Sequence, residues 1–235
     1  MSKEKTVQSE ISGYISTFMR THFGKGPTSV YITIKKPYII IHLRGFIAPM
    51  EKVLLRKNEH KRVLETRDLL INELKGDIIE NLRRIANLDI KEFYADWNLD
   101  LGTGLLIGVM PSDVQQDTFE WPDNVDKNEL EEKLTVATKR AQKEPGALEL
   151  YWLNERTLLI KRVDILVGIE KALIADGYSE ILKLTKRPLE RSLLYETNLE
   201  DVLGCPITEI FLDWNFSTDV GYIGLMLEPA KNFNG

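Results

Sequence analysis

A chain of 235 residues, 43% hydrophobic and 29% charged, has room for one large or two ordinary globular domains, and its composition excludes a disordered, collagen-like or disulfide-stapled protein. Its single cysteine, Cys205, excludes an internal disulfide and any Cys-x-x-Cys zinc site. The net charge of −5 conceals an asymmetry, because residues 1–110 hold 17 Lys and Arg against 13 Asp and Glu, whereas residues 111–235 hold 14 against 23.

The opening "MSKEKTVQSE" is polar and lacks the apolar stretch of a secretory signal. No apolar run approaches the roughly 20 residues that span a bilayer. The expectation is a cytoplasmic protein in a reducing compartment. Residues 7–22 predict a helix, since Ile11, Tyr14, Ile15, Phe18 and Met19 recur at helical spacing. "FGKGP" stops it, with Gly24 or Gly26 suited to a left-handed cap and Pro27 unable to continue. "SVYITIKKPYIIIHLRG" is rich in β-branched and aromatic residues and predicts two strands around Lys35-Lys36-Pro37. Residues 51–86 predict a long helical stretch broken near Asn58, and Pro49 suits its first turn. "DIKEFYADWN" and "GLLIGVM" then predict a hairpin.

The same order recurs downstream. Residues 127–142 predict a helix, "LELYWL" and "TLLIKRVDIL" two strands, and residues 168–203 a helical region that Pro188 should kink, divide or begin anew. "ITEIFLDWN" and "GYIGLML" close the series. Landmarks match in register: Asp96-Trp97-Asn98 with Asp213-Trp214-Asn215, Gly104 with Gly221, Glu92 with Glu209, "EKVLL" with "EKALI", and Pro27 with Pro145. The chain therefore reads as two tandem α-β-β-α-β-β units of α+β class, with helices against largely antiparallel sheets. The units are placed at residues 1–111 and 129–235, with an acidic linker at 112–128. Pairing of the two units within the chain about a pseudo-twofold axis is expected by analogy with homodimers.

"FGKGPTSVYITIKKPYIIIHLRGFIAPMEKVLL", "ETRDLL" and "EFYADWNLD" resemble the bacterial MpsC-like family, named for a sodium-translocating, membrane-potential-generating system. The resemblance is strong over residues 9–111 and returns in diverged form over 129–229. It implies a soluble accessory of membrane proteins that move cations or take up inorganic carbon, peripheral to the inner face of the membrane. It carries over no catalytic residue and no cofactor. Where the first unit reads "HLRGFIAPMEK" the second reads "KRVDILVGIEK", so the working surface is expected in the first.

That surface centres on Arg44, at the end of an apolar strand. A guanidinium there needs a partner, either an internal acid such as Asp96 or Glu51, or an external carboxylate or phosphate that fits its planar fork. Gly45 would permit positive φ or close backbone approach. Lys52, Arg56, Lys57, Lys61 and Arg62 form a basic helical segment, read either as an ordinary solvated face or as a site for an anionic partner. Asp96 and Asp213 are weaker acid–base candidates, more simply read as caps for local backbone donors.

His22, His42 and His60 are spaced too widely for a metal motif, and "GKG" lacks the rest of a phosphate loop. Cys205 has no basic neighbour in sequence to activate it. Tyr31 and Tyr38 could stack on bases, but no ribonucleoprotein motif accompanies them. The residues favour a non-enzymatic binding protein without cofactor, with a protein partner such as a membrane transport complex. The alternatives left open are a carboxylate- or phosphate-binding sensor or enzyme with a site between the units, an RNA-binding protein, and a homo-oligomer.

Overall fold

The computed structural model describes residues 3–228, with side chains from residue 7 onward. Met1, Ser2 and residues 229–235, the last stretch of the expected second unit, lie outside the described residues. The chain divides into two compact units, Met1–Asp117 and Thr118–Gly235. Within the expected linker, the Asp117 carboxylate accepts the Lys36 backbone N–H at 2.8 Å, in the first unit. Trp121 Nε1 donates to Val125 O at 2.7 Å, in the second.

The first unit runs α1 (Lys3–Phe23), β1 (Ser29–Lys35), β2 (Tyr38–Arg44), α2 (Pro49–Arg56), α3 (His60–Ala86), β3 (Glu92–Asn98) and β4 (Thr103–Val109). Its sheet is antiparallel, in the order β1-β2-β4-β3. Strand alternation sends Ile39, Ile41 and Leu43 of β2 into a core with Ile11, Ile15 and Met19 of α1 and Ile71, Ile78 and Leu82 of α3. Ile40 and His42 point to the opposite face and are buried too, which is why "YIIIHL" is apolar almost throughout instead of alternating. Gly24, at φ +74°, ends α1. Asn58, at φ +59°, separates α2 from α3 where a break is expected.

The second unit repeats the plan: α4 (Lys127–Ala141), β5 (Ala147–Asn154), β6 (Thr157–Val163), α5 (Gly168–Ala175), α6 (Ser179–Glu196), α7 (Leu199–Leu203), β7 (Ile207–Asn215) and β8 (Val220–Leu227). Its sheet order is β5-β6-β8-β7, again antiparallel. The chain is thus α+β, with two four-stranded sheets in similar halves. The repeated Trp and Gly have one explanation. Trp97 pairs across strands with Gly104, and Trp214 with Gly221, so each indole lies over a residue without a side chain. A Cβ at Gly104 would stand 2.4 Å from the Trp97 ring, and one at Gly221 would stand 2.8 Å from that of Trp214.

Two expectations in the second unit are corrected. Pro188 neither divides the helical region nor opens a helix; it lies inside α6. The breaks fall at Gly177, φ +84°, which corresponds to Asn58, and at Asn198, φ +49°. Positive φ stops a helix outright, whereas a proline costs one backbone bond that packing on both sides can offset, here at the buried Leu184, Arg187 and Glu190. The strand expected through residue 166 stops at Val163, because Asp164 adopts φ +53° and turns the chain.

Candidate functional site

The segment between β2 and α2 is built by one buried ion pair. Thr28 binds Arg44 O twice, through its backbone N–H at 2.7 Å and its hydroxyl at 3.0 Å, closing the end of β2. Gly45 then turns the chain at φ +63°, and a Cβ there would stand 2.2 Å from Thr28 Oγ1. Arg67, from α3, donates through Nε and Nη2 to both oxygens of Glu51, each at 2.7 Å, and through Nη2 to Phe46 O at 2.7 Å. Glu51 also accepts the Ala48 backbone N–H at 2.7 Å, which satisfies a free donor at the start of α2. The Arg67 guanidinium lies over the rings of Phe46 at 4.7 Å and Trp97 at 4.9 Å. This clamp fixes where α2 stands.

By strand alternation Arg44 shares the sheet face of Ile40 and His42, opposite the core side that Leu43 enters. Neither expected internal acid takes Arg44: Glu51 is committed to the clamp, and Asp96 accepts the Trp97 backbone N–H at 2.8 Å. The Arg44 side chain is exposed and rests 5.6 Å from the centroid of Tyr31. Lys52 and Arg56 on α2, Lys57 after it, and Lys61 and Arg62 at the start of α3 are exposed as well. Arg62 has Glu59 at 3.8 Å; among the described residues, Arg44, Lys52, Arg56, Lys57 and Lys61 form no ion pair. The basic helical segment expected from sequence is therefore two helices and a turn. Arg44 and the β3–β4 turn lie at the same end of the unit, the turn being tied in by Phe46 N–H to Gly102 O at 2.7 Å.

Arg67 was not among the residues singled out from sequence, yet a signal existed. Glu51 and Glu170 stand 119 residues apart, and the same offset carries Arg67 onto Lys186. Lys186 pairs with Glu170 at 2.5 Å and lies 5.6 Å from the Trp214 centroid, and Glu170 accepts the Val167 N–H at 3.0 Å. Both units thus hold the same clamp of acid, cation and tryptophan. The basic surface is not repeated. At that offset Arg44, Arg56, Lys57, Lys61 and Arg62 become Val163, Ala175, Asp176, Glu180 and Ile181; only Lys52 keeps its charge, as Lys171.

The remaining candidates have structural surroundings. Asp213 accepts the Trp214 N–H at 2.8 Å and pairs with Lys183 at 2.8 Å. His60 lies 3.7 Å from Asp100, and no group of three potential metal-binding side chains occurs among the described residues. Burial and the nearby charge of Glu200 push the Cys205 thiol up, opposite to what a nucleophile needs.

No helix of the described residues is long and apolar enough to cross a membrane. No solved structure matches the chain. A curated relative, the uncharacterised protein YbcI of Bacillus subtilis (strain 168), is 25% identical over 118 residues, which are 49% of this chain and 95% of that protein. The relative is thus about as long as one unit. Residues 3–112 match the family described as "Na+-translocating membrane potential-generating system (MpsC)", and the second unit lies outside that match. The half of this chain that carries the basic surface is therefore the half that is similar to the MpsC family.

Proposed function

We propose that the protein is a non-enzymatic accessory of a membrane cation-translocating or inorganic-carbon uptake system, and that it acts by docking the basic end of its first unit on an anionic partner. One observation carries this reading. Five exposed cations, Arg44, Lys52, Arg56, Lys57 and Lys61, gather at one end without an ion pair among the described residues, in a chain of net charge −5. Charges left uncompensated in an acidic protein create a local positive potential that steers an anionic surface. The family supplies the cellular setting, and the clamp supplies a rigid mount for the charges.

Retention on immobilised heparin, a generic polyanion, tests the docking step. The full chain should be held at about 50 mM salt and released by about 0.5 M, as the Debye length shrinks from about 14 Å to about 4 Å. Arg44→Glu/Arg56→Glu/Lys57→Glu should abolish retention without lowering thermal stability, since all three side chains are exposed. Wild-type protein that passes straight through, or a triple variant held as well as wild type, would refute the reading.

A further inference from the structure

We infer that the anionic partner of this end is a lipid surface, which α2 engages with apolar side chains set among its cations. The inference rests on the docking reading above and adds to it the class of partner. No residue of α2 is buried, and its outward side is not purely charged. Met50 is 76% exposed and Val53 56% exposed. Helical spacing puts Met50, Val53 and Lys57 in one row and Lys52 and Arg56 in the next. Leu101, 59% exposed, lies on the β3–β4 turn that Phe46 ties to the same end. Asp100 on that turn sits 3.7 Å from His60, and the carboxylate of Glu51 faces inward to Arg67.

An acidic protein surface would satisfy the lysines and arginines but offers nothing specific to isolated, protruding Met and Val side chains. A bilayer interface accepts both kinds of group at once. Headgroup phosphates meet the ammonium and guanidinium ends, and the acyl boundary takes up the apolar side chains. Juxtaposed cations each add to attraction for anionic lipid within a Debye length of the surface. With two exposed apolar side chains on a short helix and one on the neighbouring turn, binding must be reversible and must need both contributions. The second unit is a built-in control. Ile169 stands where Met50 does and is 68% exposed, but the cations around it are gone, apart from Lys171, and Asp176 and Glu180 replace two of them.

Co-sedimentation of the full chain with phosphatidylcholine vesicles, with and without phosphatidylglycerol, tests the inference. Binding is expected only with phosphatidylglycerol and should be released by high salt. Met50→Asp/Val53→Asp should weaken vesicle binding about tenfold or more while retention on heparin persists. Lys52→Gln/Arg56→Gln/Lys57→Gln should weaken both, and Ile169→Asp neither. Heparin retention without vesicle binding would overturn the lipid assignment and leave the docking reading standing; loss of both in the wild-type protein would remove the docking reading itself. Vesicle binding unchanged in Met50→Asp/Val53→Asp would also overturn the inference, since it would mean contact with charge alone. A thermal melt of each variant separates surface effects from misfolding.

Discussion

Where the first unit buries Leu43 on β2 and Ile71 on α3, the second buries Arg162 on β6 and Glu190 on α6, and all four are at most 3% exposed. Arg162 meets Glu190 at 2.7 Å and Thr138 Oγ1 at 3.3 Å, and Glu190 also takes Lys186 at 3.1 Å. One topology thus closes at the same place by apolar contact in one unit and by an ionic net in the other. Dehydrating each ion costs several kcal/mol, which only good geometry offsets, so the two positions must change together. The net also explains how lysine replaces arginine in the second clamp. Arg67 makes a fork to one carboxylate, whereas Lys186 shares its ammonium among Glu170, Glu190 and Gln142.

The sharpest way to break this comparison is to mix its halves. Glu190→Ala leaves Arg162 buried without its carboxylate and should cost about 3–5 kcal/mol in urea unfolding. Arg162→Leu/Glu190→Ile imports the apolar pair and should recover that loss, or exceed wild type by up to about 4 kcal/mol. A double variant as unstable as the single one would show that the two units are not interchangeable here.

The clamp comes next. Arg67→Met strands Glu51 and should also cost about 3 kcal/mol or more, while Arg67→Lys, which copies the second unit without its extra carboxylate, should cost about 1–3 kcal/mol. Equal losses would mean that the fork geometry contributes nothing.

A smaller effect is expected where the units trade side chains across a strand end. Gly45 faces Thr28 in the first unit; in the second, Gly146 faces Asp164, and a Cβ on Gly146 would stand 3.0 Å from that of Asp164. Gly45→Asp alone should cost about 1–3 kcal/mol through the clash with Thr28. Adding Thr28→Gly should restore most of it, which a double-mutant cycle measures as coupling.

The smallest effect is a pH dependence confined to the second unit. Gly102 in the first unit corresponds to Asp219, whose carboxylate accepts the N–H groups of Ile165 and Leu166 at 2.8 and 2.9 Å and meets Lys171 at 3.1 Å. Burial would raise its pKa, but these donors and the lysine charge outweigh burial and hold it below the ordinary 3.8. The native state therefore favours the ionised form. Its contribution is complete above the ordinary value and disappears as pH falls through the depressed one. Asp219→Asn should remove that acid sensitivity, at a cost under about 1 kcal/mol near neutral pH once solvent screening is allowed for. An unchanged acid-unfolding profile would assign the sensitivity to other carboxylates.

Most of the element order was legible because its signals are local. Helical spacing in α1, β-branched runs in β1 and β2, Pro49 at a helix start and the break at Asn58 each depend on a few neighbouring residues. The repeat was legible because Trp97 and Trp214 need a glycine opposite, and a hairpin keeps that spacing constant. Of the alternatives for Pro188, a division and a new start fail because packing offsets the local cost of a proline inside α6. Arg67 escaped notice because its partner, Glu51, lies on another helix, and nothing local distinguishes it from the surface arginines nearby.

The sequence by itself determined that this chain holds two α+β units of common plan, that the first is basic at the end of β2, and that the second lacks that charge. The tertiary structure alone decided which cations are spent and which remain. Periodicity is written in spacing along the chain, but an ion pair forms only when folding brings two distant side chains within reach. Here Arg67 reaches Glu51 across two helices, while Arg44 stays at the surface.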